Sequence, residues 1–333
     1  MSKIWGSYPN PNYDRGEEVL ECIDSIQDSS ILPREIVVVD DCSTDNSVEM
    51  LEAVNIKVIK HSENRGTAAA RNTGARNSEG DIIVFIDSDV VIHKDTIKKC
   101  VEFFQRDESA SVIVGLPDKT NKYPGIVTAH FLMRMYFRLF EYSDSVSYTN
   151  GTLTAVRRNI FNKIGGYNEK LRTPGIEDAE FGLDAYRNHE KIYLDKTNVV
   201  THNKKIDFWG LIRSDMARTV DRVFFMFRKR HTRSVLKEKR IFTISFSQIF
   251  SALLAPMIPI FLLLTIYSRL FLIPLIASLA LFFFLYRSYL SFIKREMGIF
   301  SSVRIYFLLI VDMFFVYLAL WKGMLLYVSG RRY

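Results

Sequence analysis

The sequence predicts an α/β domain built on a mostly parallel sheet, followed by a basic amphipathic helix and about three transmembrane helices. Short, all-apolar runs at 36–39 and 82–86 alternate with helical patterns, the mark of strands covered on both faces. Both runs end in acids, Asp40 and Asp41 after the first, Asp87 and Asp89 after the second. Ligands bind beyond the carboxyl ends of strands in such sheets, so chemistry is expected there. From 241 to 330 the text changes to long runs of Phe, Leu, Ile, Val and Tyr with few charges, which only a lipid environment explains.

In chain order, 17–26 reads as a helix, 35–39 as a buried strand, 45–54 as a helix and 56–59 as a strand. A helix over 66–76 and a strand over 81–86 follow. Farther on, 112–114 and 147–156 read as strands around a helical stretch at 125–142, 177–188 as a helix, and 191–194 with 199–202 as two short strands. Over 208–228, Trp209, Ile212, Met216, Val220, Val223 and Phe227 recur at spacings of three and four, an apolar stripe that fits either a membrane interface or the soluble core. Spans are expected at 241–267, with Pro256 and Pro259 as kinks, at 270–286 and at 303–328. The expected organisation is thus a domain at 1–206, a basic amphipathic helix and linker at 207–240, and membrane helices at 241–330.

Charge supports that layout. The net charge of +7 is concentrated between 204 and 240, where twelve Lys and Arg face four acids. A basic girdle directly before the first apolar run reads as lipid-facing cytoplasmic charge, not as a nucleic-acid surface. Arg287, Lys294, Arg295 and Arg304 fall on the same side if the first two spans form a hairpin, whereas three spans put Arg331 and Arg332 outside. Cys22, Cys42 and Cys100, odd in number and scattered, exclude a disulfide scaffold and suggest reduced thiols on the cytosolic side. The first residues hold no apolar core of signal-peptide length.

Asp87-Ser88-Asp89 carries the sharpest chemical signal. Two carboxylates two residues apart past a buried strand can grip a divalent cation that also holds phosphate oxygens. Acids at a strand end also serve as helix caps or turn residues. The run through Val90 and Val91 matches, besides, the nucleophile motif of haloacid-dehalogenase-like phosphatases, which that family places on its first strand; here it follows at least two βα units.

Taken together, the segments PNYDRGEEVLECIDSI, EIVVVDDCSTDNS, NRGTAAARNTG, IIVFIDSD, NGTLTAVRR, GGYNE and GIEDAEFG, in this order over roughly 11–190, resemble family 2 glycosyltransferases of the Rossmann-like GT-A fold. The resemblance implies a nucleotide-sugar donor, an inverting transfer and a Mn2+ or Mg2+ ion. Pro11 and Tyr13 then match the loop that meets the base, Asp40 the acid that receives base or ribose, and Asn64, Arg65, Gly66 and Arg71 the stretch beside the nucleotide. On residue type alone, Arg71 is equally a surface ion-pair residue. Asp87 matches the ribose or metal contact, Asp89 a metal ligand and His202 a third ligand, although a lone histidine is often structural. Gly151 and Thr152 match the region that cradles sugar and acceptor, whereas Gly165 and Gly166 serve the turn into Tyr167. Asp178, with Glu177 beside it, matches the general base; the bland alternative is that both acids complement the positive end of the following helix.

The chain departs from the family in two places. After Met1 only Ile4 and Trp5 are apolar before Gly6, so the first strand is expected to be truncated or remodelled, and the Gln-x-x-Arg-Trp signature of processive synthases is absent. The expectation is therefore a membrane enzyme with its domain on the cytoplasmic face of a prokaryotic cell membrane, acting on a lipid-linked acceptor held among membrane lipids. A polysaccharide synthase and a catalytically silent scaffold are the alternatives.

Overall fold

Eight strands, among the described residues, form one sheet in the order β3-β2-β1-β4-β7-β6-β8-β5. The protein is seen in a computed structural model whose described residues are 2–6, 16–44, 47–53, 56–141, 149–170, 176–227 and 246–330. In chain order the elements up to residue 202 are β1 (Ser2–Gly6), α1 (Gly16–Gln27), β2 (Glu35–Asp40), α2 (Ser47–Ala53), β3 (Lys57–Lys60), α3 (Thr67–Arg76) and β4 (Ile82–Phe85). They continue with β5 (Val90–Ile92), α4 (Thr96–Arg106), β6 (Ala110–Pro117), α5 (Ile126–Phe140), β7 (Thr154–Arg157), α6 (Arg158–Ile164), α7 (Ile176–Arg187) and β8 (Lys191–His202).

The alternating pattern gives the expected parallel half. β3, β2, β1 and β4 pair in parallel, with Ile4 opposite both Val37 and Phe85. The first strand, expected to be truncated or remodelled, is thus present and central. Beyond β4 the sheet is mixed: β7 is antiparallel to β4 and β6, β6 is parallel to β8, and β5 is antiparallel to β8. Side chains of β4 alternate between two cores, Val84 on the face covered by α1, α2 and α4, Ile83 and Phe85 on the face covered by α3, α6 and α7.

The structure departs from the sequence reading in three ways. The strand expected over 147–156 is confined to Thr154–Arg157. Its described N-terminal part folds on itself, Thr152 N–H donating to Asn150 Oδ1 and Thr154 Oγ1 to the Asn150 carbonyl, bonds that compete with a ladder. The strands expected at 191–194 and 199–202 are one strand, with a register shift between the pairs Gly115–Asp195 and Leu116–Val199. β5, α4 and α6 were not anticipated.

A second unit comprises Gly125–Arg134 and Ile206–Tyr333; the first is Met1–Pro124 with Met135–Lys205. In the second unit α8 (Phe208–Phe227) is followed by α9 (Phe246–Leu254), α10 (Met257–Leu264), α11 (Leu272–Met297) and α12 (Ile299–Val328). The helix breaks at Pro256, as its missing N–H requires. Three stretches, Ser247–Leu264, Arg269–Met297 and Ile299–Val328, are long and apolar enough to cross a membrane. Ile212, Val220 and Val223 of the predicted stripe are buried, while Trp209 and Phe227 are exposed. A Cβ on Gly323 of α12 would lie 3.0 Å from Val223, so the stripe packs on α12 at that level.

The second unit also buries charge. Arg134, just past the middle of α5, lies 2.6 Å from Asp215 of α8 and 3.1 Å from Asp312 of α12, whose side chain is wholly buried. Burial works to raise the Asp215 pKa, but Arg134 and then Arg218 hold it down at about 2. His130, one turn before Arg134, pairs through Nδ1 with the Tyr289 hydroxyl at 2.9 Å. Burial first, then Arg134, pushes its pKa down to about 3, so the imidazole is neutral.

Candidate active site

Arg71 is the hub of the site. It sits on α3, whose run of Ala and other small residues lets the helix bury nine of its ten positions. Within that buried surface the guanidinium donates through Nη1 to Asp178 at 2.8 Å and Glu177 at 3.2 Å, and through Nη2 to Asp87 at 2.8 Å. Burial alone would lower the arginine's pKa, yet Asp178 and Asp87, foremost among its neighbours, hold it well above its ordinary value. The surface ion-pair alternative for Arg71 is overturned: its side chain is 3% exposed. One permanent cation thus organises acids from two places in the chain, the end of β4 and the first turn of α7.

The two neighbouring acids differ. Glu177 is 1% exposed and Asp178 10%, so only Asp178 has an opening toward a ligand. Burial raises the Asp178 pKa to about 6; Arg71 works against that, and Asp87 adds to it. The Asp178 carbonyl accepts from Thr149 Oγ1 at 2.7 Å, tying α7 to the loop before β7. In that loop Gly151 is required by close approach, since a Cβ there would lie 2.6 Å from both Arg71 Nη2 and Asp87 Oδ2. Gly151→Ala is accordingly expected to displace this pair and lower kcat/KM about tenfold, read by steady-state kinetics.

Asp89 and His202 form a second pair. The antiparallel register Val90 opposite His202 brings the residue before β5 beside the last residue of β8, and Asp89 Oδ1 lies 3.1 Å from His202 Nε2. Adjacent ligands of an octahedral ion with bonds of about 2.1 Å stand about 3 Å apart, so a carboxylate and an imidazole at this separation fit one divalent cation. Asp87 is turned to Arg71, and among the described residues no three Asp, Glu, His or Cys side chains converge as a cage. Two protein ligands completed by phosphate oxygens is the arrangement that such hard cations commonly take.

The remaining predicted residues divide. Asp40 is buried at the end of β2 and accepts from Ser43 N–H at 3.1 Å. Gly66 caps α3 with φ 85, and Asn64 before it is exposed. Thr152 is buried. Pro11 and Tyr13 lie outside the described residues. Sequence reasoning missed Asp41, which is wholly buried and accepts from Arg65 N–H, Gly66 N–H and the His61 ring, pinning the 61–66 loop to β2. It also missed Glu169, which binds Arg65, Asn72 and Arg76. The doubled acid Asp40-Asp41 was the available signal for the first of these.

Comparison with known proteins identifies a domain within the chain. Residues 11–165 match the model of glycosyl transferase family 2. The chain carries a family 2 glycosyltransferase domain. Glycosyltransferase GlyA of Streptococcus pneumoniae serotype 4 is 30% identical over 222 residues, covering 62% of this chain and 31% of its own length. TarS of Staphylococcus aureus, a poly(ribitol-phosphate) beta-N-acetylglucosaminyltransferase, is 32% identical over 111 residues, 31% of this chain and 19% of its own. The chain therefore spans about a third or less of these two relatives. Among solved structures, a mannosyltransferase from Pyrobaculum calidifontis in complex with GDP-Man and Mn2+ aligns with a TM-score of 0.58 at 14% identity, over 99% of this chain and 87% of that one. TarS 1–349 in complex with UDP-GlcNAc aligns at 0.50 and 20% identity, over 100% and 92%. The family 2 domain thus has the GT-A fold, with three long apolar helices after it.

Proposed function

We propose that the chain is an inverting glycosyltransferase that moves a sugar from a UDP- or GDP-sugar to a lipid-linked acceptor. That acceptor is polyprenyl phosphate or a growing lipid-linked saccharide, used at the cytoplasmic face of a prokaryotic cell membrane. The observation that carries the chemistry is Asp178, a buried carboxyl with a narrow opening whose pKa is pushed up to about 6. A base tuned to that range is ionised at neutral pH yet strong enough to take a hydroxyl proton.

In the proposed step the acceptor hydroxyl attacks the anomeric carbon from the side opposite the diphosphate. Its proton passes to Asp178; the new carbon–oxygen bond forms as the bond to the diphosphate breaks, and the electron pair leaves with the nucleotide. Arg71 holds Asp178 in place through the 2.8 Å bond and at the same time orients Asp87 toward the donor. Glu177, deeper and bonded to the same Nη1, positions Arg71. A divalent ion held by Asp89 and His202, with Asp87 adjoining, would stabilise charge on the leaving diphosphate. Asp40, Arg65, Gly66, Gly151 and Thr152 line the donor side in this reading.

GDP-Man and UDP-GlcNAc in the two structural neighbours support a nucleotide-sugar donor. The three apolar stretches and the basic 204–240 segment support a membrane-held acceptor, because they would keep the chain at the bilayer in which a lipid-linked acceptor resides. The test is transfer by detergent-purified protein to matched water-soluble and polyprenyl-linked acceptors. Glycosylation of the soluble acceptor alone rejects the lipid assignment, and long polymeric products would indicate a synthase.

The pH profile of transfer to a hydroxyl acceptor reads the base, and removal of the base separates the two acceptor classes. A base works only when ionised, and its ionised fraction falls below its pKa, so transfer to a hydroxyl acceptor should decline as pH drops through about 6. A phosphate acceptor keeps a negative oxygen on either side of its own second pKa of about 6 and needs no base, so Asp178→Asn should spare transfer to it.

A further inference from the structure

The Gly165–Glu169 turn is not accounted for by the proposed chemistry, yet it is tied to α3 at several points. Asn72, next to Arg71 in sequence, accepts from Tyr167 N–H and donates to the Tyr167 carbonyl, both at 2.8 Å. Gly166, at φ 73, leaves room for this clamp, since a Cβ there would lie 2.6 Å from Asn72 Oδ1. The clamped residue turns its ring under the neighbouring side chain: the Arg71 guanidinium carbon sits 5.2 Å from the centre of the Tyr167 ring. That ring is itself held, stacked on Phe181 at 4.6 Å and edge-on to Phe85 at 5.3 Å. Its hydroxyl is buried and makes no hydrogen bond among the described residues.

We infer that Tyr167 is a positioning residue for sugar transfer, its ring serving as the platform that keeps the Arg71 guanidinium aimed at both Asp87 and Asp178. The inference rests on the proposed roles of those two acids. Its physical basis is that a cation over an aromatic face is attracted by the ring quadrupole, most strongly where water is excluded. The Arg71 guanidinium, bonded to Asp87, Glu177 and Asp178, presents its five N–H donors in one rigid plane, so a tilt of that plane breaks one bond to keep another. The platform prevents the tilt. The two short motifs that carry Asn72 and Gly166-Tyr167, far apart in sequence, act as one brace.

The test compares Tyr167→Phe, Tyr167→Met and Arg71→Lys with the wild type, in the full chain, for kcat and donor KM and for thermal midpoint. Because the hydroxyl makes no bond, Tyr167→Phe is expected to keep near wild-type kinetics. Tyr167→Met should lower kcat/KM by tenfold or more, with donor KM rising because Asp87 is misplaced together with Asp178. A purely structural role would lower kcat through loss of folded protein and leave KM unchanged. In the Arg71→Lys background the further effect of Tyr167→Met should largely vanish, since the platform acts through the guanidinium. Should Tyr167→Met fail to fold, Asn72→Asp loosens the same clamp with the ring still in the core, and the same rise in KM is expected.

Equal losses in the Phe and Met variants would overturn the inference, as would additive losses of Tyr167→Met and Arg71→Lys, or a Met variant with unchanged KM. Failure of the underlying reading looks different: wild-type protein would not transfer sugar, or Asp178→Asn would transfer as well as wild type.

Discussion

Asp178→Asn is expected to lower transfer to a hydroxyl acceptor by roughly 10²–10⁴-fold, the range typical of a lost general base. Asparagine keeps an oxygen in the place that accepts from Arg71 Nη1 at 2.8 Å, so the hub should stay assembled. It cannot take a proton. Donor KM and the thermal stabilisation by nucleoside diphosphate should therefore remain near wild type, and kcat should carry the loss. Glu177→Gln makes the useful contrast. That side chain is 1% exposed and bonds to the same nitrogen at 3.2 Å, so its amide should weaken Arg71 placement modestly without removing the base. A kcat loss in Glu177→Gln as large as in Asp178→Asn would reverse the assignment of roles.

The second large effect is on stability. Arg134→Met leaves Asp215 and Asp312 buried without their shared cation, a change that costs about 3–5 kcal/mol when a buried ion pair loses one partner. In the detergent-purified chain this should lower the thermal midpoint by roughly 10 °C. Acid should narrow the gap. The Asp215 pKa is held at about 2 against an ordinary 3.8, so its ionised form contributes stability above about pH 4 that is lost as pH falls toward 2. Arg134→Met combined with Asp215→Asn and Asp312→Asn should recover much of the midpoint, because neutral amides need no cation. A midpoint for Arg134→Met within about 2 °C of wild type would mean that the cluster contributes little.

How far the sequence discloses this arrangement depends on the range of the interaction. Period-2 and period-3.6 patterns are local, and the parallel half of the sheet is legible in them, as the three apolar stretches are in plain hydropathy, whereas the acid pair at the start of α7 stands out only through the family resemblance. The mixed half is not, because nothing in Thr154–Arg157 says that it enters antiparallel beside β4. α4 carries a local signal, since Ile97, Cys100 and Phe104 recur on one face and are buried there. Three-residue β5 is too short for periodicity, yet it sets Asp89 beside His202. Arg71 illustrates the limit best. Residue type and motif point to the nucleotide, but its bonds to Asp87, Glu177 and Asp178 span separations of 16 to 107 residues and exist only after folding. Asp312 gave a plain signal, a lone acid in an apolar run, whose partner Arg134 lies 178 residues earlier.

In the proposed mechanism the carboxyl ends of β4 and β8 hold a nucleoside diphosphate through a divalent cation. This is tested most directly by thermal shift of the detergent-purified chain with UDP and GDP, each with and without Mn2+, for wild type, Asp89→Asn and Asp178→Asn. A ligand that binds only the native state raises its midpoint. The expected result is a Mn2+-dependent rise with one nucleotide, abolished in Asp89→Asn and kept in Asp178→Asn. A rise that survives Asp89→Asn unchanged, or no rise with either nucleotide in the wild type, would contradict the claim.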